Sequence, residues 1–176
     1  MGEDNIMRID KFTHKNQEAI QKAMELAAEL KHQCIDTEHF TVSLFNVEGG
    51  IIPAFFERFN ISSEDLTRKL EQKLSSKAAV EGDGQPYLSQ ELNKILASSQ
   101  KIAKDMQDDY VSQEHVFLAL YREEQTDLSQ ELKRHGIQEA DVLKLIEQLR
   151  GGQKVTDANP EDKYQALERY GRDLTA

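Results

Sequence analysis

The chain has a single cysteine, Cys34, among 176 residues, and no CxxC pair. One cysteine cannot close an intramolecular disulfide, and paired thiolates for zinc are missing, so a reducing compartment is expected. Basic runs are missing too. With a net charge of −10 and a pI near 5.0, the chain lacks the clustered Lys and Arg that bind a phosphate backbone, which argues against nucleic acid as a partner. MGEDNIMRID contains no apolar signal-peptide core, and no apolar run approaches the ~20 residues of a membrane span. The expectation is a cytoplasmic protein without a membrane partner. Met7 offers an alternative start, which would make MGEDNI an extension. No GxxxxGK[ST] loop occurs; Gly49-Gly50 and Gly151-Gly152 lack the Lys-Ser/Thr ending that holds nucleotide and magnesium. No stretch alternates convincingly like a strand.

What is present is a normal globular composition, 38% apolar and 31% charged, organised by a repeat. Laying residues 12–74 over 88–150 at a constant shift of 76 gives ten identities in 63 positions, among them Ala27/Ala103, Glu38/Glu114, His39/His115, Leu44/Leu120 and Ile61/Ile137. Leu26/Ile102, Ile35/Val111, Leu66/Val142 and Leu70/Ile146 keep apolar character in the same register. A phase held this long without a gap marks a duplication.

Each copy reads as four helices. Thr13 caps the first, with Ile20, Ala23, Ala27 and Leu30 as its apolar stripe; the matching helix starts at Ser89 and carries Leu92, Ile95, Leu96, Ile102, Ala103 and Met106. The second helices follow Asp36 and Ser112, the third lie near 51–59 and 127–135, and the fourth follow Ser62-Ser63 and Ile137-Gln138. Four helices in about 65 residues make a marginal core, so the copies are expected to pack on each other. The fold expected is all-α: two tandem four-helix repeats in one pseudo-twofold domain, then a linker and a short C-terminal helix. The boundaries are 1–11 for an N-terminal extension, 12–76 and 88–150 for the repeats, 77–87 for a surface linker and 151–176 for a hinge-like tail. Asn159-Pro160-Glu161 signals a helix start in that tail, with Tyr164, Leu167 and Tyr170 as a stripe too short to be stable unless it packs on something. The natural chain is therefore expected to continue beyond Ala176, and Gly151-Gly152 to be open to proteolytic nicking.

The Glu38-His39 and Glu114-His115 pairs are candidates for metal or catalytic chemistry, but a zinc site generally needs three or four convergent ligands. Neighbours on a helix also point about 100° apart. Helix starts explain both pairs: Asp36 and Ser112 as caps, a glutamate at the second position favoured by the helix dipole, and a histidine completing the turn and facing partly inward. No nucleophile with an orienting partner sits at repeat-related positions; Cys34 aligns with Tyr110, so it belongs to no duplicated chemistry, and a small buried core residue is its expected role.

IDTEHF and VSQEHV in two four-helix copies, the opening MRIDKFTHKNQEAI and the tail RGGQKVTDANPEDKYQALERYGRDLT together resemble the Clp N-terminal repeat domain. The tail is similar to the junction that leads a ClpB-type disaggregase into its first AAA+ ATPase module. The resemblance implies a noncatalytic domain that engages unfolded or aggregated polypeptide for threading by a hexameric motor, alongside a co-chaperone system of the DnaK type. ATP and magnesium would belong to the ATPase modules, leaving this segment without a cofactor or metal and monomeric by itself. The alternative it leaves is an adaptor-docking domain of a protease-linked ClpA/ClpC-type unfoldase. The substrate-binding positions it implies are Thr13, Ile102, Asp108, Glu114 and His115. For Thr13, Asp108 and Glu114, capping, a solvated loop and dipole stabilisation are the structural alternatives. Ser98 and His115 stand where the pattern carries aliphatic residues, making the implied groove more polar, with a histidine whose protonation near pH ~6.5 would weaken binding.

Overall fold

The computed structural model describes residues 9–80, 82 and 84–164. The first copy comprises α1 (His14–Glu29), α2 (Thr37–Phe45), α3 (Ile52–Arg58) and α4 (Ser63–Ser76). The second comprises α5 (Gln90–Asp105), α6 (Gln113–Arg122), α7 (Asp127–Arg134) and α8 (Glu139–Arg150). The architecture is the all-α double repeat expected from the sequence. The Thr13 hydroxyl caps α1 by accepting from the Asn16 N–H at 3.5 Å, and Ser89 caps α5 from the Leu92 N–H at 3.0 Å. Ser62 and Thr126 do the same for α4 and α7, and Pro53 opens α3, where its missing N–H is not needed.

Helix ends repeat as faithfully as helix starts. Lys31 and Gln107, 76 residues apart, both turn left-handed, at φ 58° and 62°, to stop α1 and α5. The next residues, His32 and Asp108, then return their N–H to the carbonyls of Ala27 and Ala103 at 2.8 and 2.9 Å, as a Schellman stop requires. Asn60 and Gly136 end α3 and α7 in the same way. These stops place residues 32 and 108 beside the second helix of their own copy.

The copies exchange short strands. β1 (Cys34–Ile35) pairs in parallel with β2 (Tyr87–Leu88), and Phe12 bridges Val111; Ile35/Val111 and Phe12/Leu88 are the same two repeat positions, so each copy reaches across to the other. Two residues are too few to show alternation, which is why the sequence carries no strand signal here. The end of the expected linker is thereby fixed in the fold.

One apolar core runs through both copies. At its centre Phe117 of α6 stands edge-on to Phe55 and Phe56 of α3, with ring centroids 4.7 and 6.2 Å away. Neither four-helix unit closes without the other.

The segment read as a hinge turns back onto this body. Gly151, at φ 59°, ends α8, and the chain then lies across both copies: the Asp109 N–H donates to the Val155 carbonyl at 2.8 Å, and the His14 N–H to the Ala158 carbonyl at 2.9 Å. A helix begins at 160, and Val155, Glu161 and Tyr164 are buried. The support that this short helix needs comes from the repeats themselves, up to 164; Leu167 and Tyr170 lie outside the described residues.

Candidate functional site

The first turn of α6 gathers most of the expected site. Ser112 precedes it, and the His115 Nδ1 accepts the Ser112 N–H at 2.9 Å, closing a capping box with histidine in the place usually taken by Glu or Gln. Because Nδ1 is an acceptor, the ring proton sits on Nε2, which donates to Asp108 Oδ2 at 2.7 Å. The Schellman stop of α5 is what holds Asp108 there. Its carboxylate also takes two bonds from the Arg150 guanidinium, at 2.9 and 2.6 Å, and the Val155 N–H at 3.0 Å. Burial pushes the Asp108 carboxyl upward, but His115, Arg150 and Val155 together outweigh it and hold the carboxyl far below the usual range.

Glu114 is fully buried at the second position of α6, with Arg150 Nε 3.7 Å from its Oε2 and no hydrogen bond to either oxygen. Tail residues close the site from the other side. Glu161 Oε2 accepts the Thr13 hydroxyl at 2.6 Å and the Gln113 N–H at 3.0 Å. Burial first, and the nearby Glu114 charge, push the Glu161 carboxyl up to about 7, against the pull of Thr13 and two backbone N–H groups. Tyr164, also pushed up chiefly by burial and then by Glu114, completes the wall.

The corresponding place in the first copy holds different residues on the same frame. The His39 Nδ1 accepts the Asp36 N–H at 2.9 Å and its Nε2 meets His32 Nδ1 at 2.9 Å, so a His–His contact replaces Asp–His. Glu38 is paired with Lys77 at 2.6 Å and accepts the Thr37 hydroxyl at 3.0 Å. Burial, with His32 and Lys77 nearby, lowers His39 to about 4, keeping it neutral.

Two four-helix copies, each opening its second helix with this Glu-His turn, match the Clp repeat (R) N-terminal domain over residues 11–135. The chain belongs to that family. It is 38% identical over 173 residues to the chaperone protein ClpB of Nitratidesulfovibrio vulgaris, covering 96% of this chain and 20% of that protein. The chain thus spans about one fifth of the length of the curated relatives it matches. Its fold is similar to the Hsp104 N-terminal domain from Candida albicans, with a TM-score of 0.71, 21% identity, and 86% of this chain and 99% of that one covered. A ClpV N-domain solved in complex with VipB peptide is similar at a TM-score of 0.64 and 17% identity, with 79% of this chain and 86% of that one covered.

Within this Clp repeat domain, Thr13, Asp108, Glu114 and His115 lie around the start of α6 with buried side chains, and Ile102 is a core residue 5% exposed. None of the five presents its side chain as an open contact surface. His115 is not a groove wall: its ring is buried, bonded on one side to the Ser112 N–H and on the other to Asp108. Arg150, Glu161 and Gln113 are site residues that sequence reasoning missed. Arg150 carried a signal, a charge at the place held by Leu74 in the first copy.

An accessible groove of about 630 Å³ lies beside α5 and residues 107–111. Tyr110 gives it a half-buried apolar wall over a floor of Ala103 and Val111, which are core residues, while Lys11, Lys104 and Asp109 charge its rim. Asp108 lines its edge. Among the described residues no group of three or more His, Cys, Asp or Glu is placed to hold a metal, and no helix is long and apolar enough to cross a membrane.

Proposed function

We propose that this chain is the noncatalytic substrate-docking N-terminal domain of a ClpB-type disaggregase, and that unfolded polypeptide segments bind in the groove formed by α5 and residues 107–111. The observation that carries this reading is the groove itself: an apolar wall at Tyr110 within a largely polar, mixed-charge rim, anchored at Asp108 to the buried Arg150 and His115. Unfolded chains expose apolar side chains that folded proteins hide, and such a wall recovers that surface from water. The likeness to ClpB along 96% of the chain supports a disaggregase, and a peptide ligand on a ClpV N-domain fits a groove of this kind. Thr13, Asp108, Glu114 and His115 act here as positioning residues, fixing the groove's backbone from behind, and Ile102 supports α5 from the core.

In the whole protein this domain serves a hexameric ATPase that draws the captured chain through its pore, with ATP and magnesium held by the ATPase modules and a DnaK-type system as co-chaperone. Several weak sites on one ring gain avidity from their shared tether. The location proposed is the cytoplasm.

Fluorescence anisotropy of a labelled, permanently unfolded polypeptide tests this reading. Weak saturable binding is expected, several-fold weaker for Tyr110→Ser and Lys104→Glu. Binding that ignores both substitutions would remove the groove from the account. Capture of a folded adaptor with no response to unfolded chain would move the function to adaptor docking.

A further inference from the structure

The two copies cap their second helix with a carboxylate from different sources. In the first, Asp36 Oδ1 accepts the Thr37 N–H and the Ser89 hydroxyl, both at 2.8 Å. The repeat places Gln113, Thr13 and Ser112 at the positions of Thr37, Ser89 and Asp36. Ser112 has no carboxylate to offer. The Gln113 N–H and the Thr13 hydroxyl instead meet Glu161 Oε2, so one tail side chain makes the two bonds that Asp36 makes in its own copy.

The occupied site is incompletely satisfied. Glu161 Oε1 is buried without a hydrogen-bond partner, and the buried Glu114 carboxyl has only Tyr164 beside it and Arg150 Nε at 3.7 Å, whereas Glu38 in the first copy is bonded to Thr37 and Lys77. Buried polar atoms left this way oppose the contact that buries them. The tail is thus held by a well-made cap and pushed by its unpartnered surroundings.

We propose that the start of α6 and the Thr13 hydroxyl form a receptor for a polypeptide carboxyl group, and that residues 152–164 are a releasable strap whose Glu161 is its resident ligand. Release of the strap uncovers Glu114 and Arg150 while the repeats keep their core, because the residues that join the two copies, Phe117 with Phe55 and Phe56, come from helices and not from the tail. The proposal stands apart from polypeptide docking in the groove, since it concerns contacts within the chain.

Hydrogen exchange on the whole chain tests it. The His14 amide, bound to Ala158, and the Asp109 amide, bound to Val155, report the strap; the Gln113 amide reports the receptor. Ser112→Asp supplies the cap from within the copy, as Asp36 does, so His14 and Asp109 should exchange at least tenfold faster with Gln113 still protected. Glu161→Ala should speed exchange at all three. An excess of a peptide of residues 152–164 should restore Gln113 protection to the Glu161→Ala chain, and the same peptide carrying Glu161→Ala should not. Unchanged exchange at His14 and Asp109 in Ser112→Asp would overturn the strap. Equal action of the two peptides would overturn the carboxyl receptor. Neither reading requires an unfolded substrate, so failure of groove binding leaves this test intact.

Discussion

Asp108 accepts a hydrogen bond from His115 at 2.7 Å, and 76 residues earlier His32 stands in the same relation to His39 at 2.9 Å. One frame therefore holds a His–His contact in the first copy and a carboxylate–His contact in the second. The charge is what recruits Arg150, at the position of Leu74, and through the Val155 N–H it also fixes the tail.

Asp108→Ala should cost roughly 3–5 kcal/mol in urea unfolding, because it leaves the Arg150 guanidinium buried without its bidentate partner. Installing the first copy's residues together, as Asp108→His with Arg150→Leu, should cost less than the sum of the two single changes by about 1 kcal/mol or more. Additive effects would show that the two residues do not act as a pair.

His39 should remain neutral across the range where an ordinary histidine titrates. Its folded-state value is lowered from 6.5 to about 4, so the unfolded chain binds the proton more readily between those values. The stability this group contributes is present above about 6.5 and declines as pH falls toward about 4. Imidazole NMR shifts should show His39 unprotonated at pH 5.5; titration near 6.5 would contradict the buried His–His contact.

Glu161 works in the opposite sense. Its value is raised from 4.5 to about 7, chiefly by burial and by Glu114, so the docked tail holds its proton more tightly than the free tail does. Docking is strongest below about 4.5 and weakens as pH rises to about 7. After correction for the intrinsic pH dependence of exchange, protection of the His14 amide should fall over that interval in the native chain and stay level in Glu161→Gln. A flat profile in the native chain would show that this carboxyl does not titrate in place.

Phe117→Ala should destabilise the domain by about 3–5 kcal/mol, since it empties the contact that joins α6 to α3 across the copies. Unfolding should stay a single transition by every probe, as a shared core demands. Two separated transitions would mean that each copy folds alone.

The helices were legible because their signals are local: Thr13, Asp36, Ser62 and Ser89 sit where caps belong, and the apolar register persists across the duplication. The copies' mutual packing followed from size alone. The strand exchange was not legible, since Phe12, Ile35, Leu88 and Val111 act singly or in pairs. Glu114 read as a surface dipole partner because its burial is imposed by Arg150 and Tyr164, 36 and 50 residues further along the chain. Glu161 read as part of a helix start, its second role being set by the absence of a carboxylate at Ser112, visible only when the copies are compared in three dimensions.

Amide NMR shifts of the whole chain during titration with an unfolded, aggregation-prone polypeptide test substrate docking most directly. The account predicts changes concentrated at Lys11, Ala103, Lys104, Gln107, Tyr110 and Val111, with smaller effects at Thr13, Asp108 and Glu114 transmitted through the buried network. No response at saturating polypeptide, or changes confined to the first copy, would contradict it.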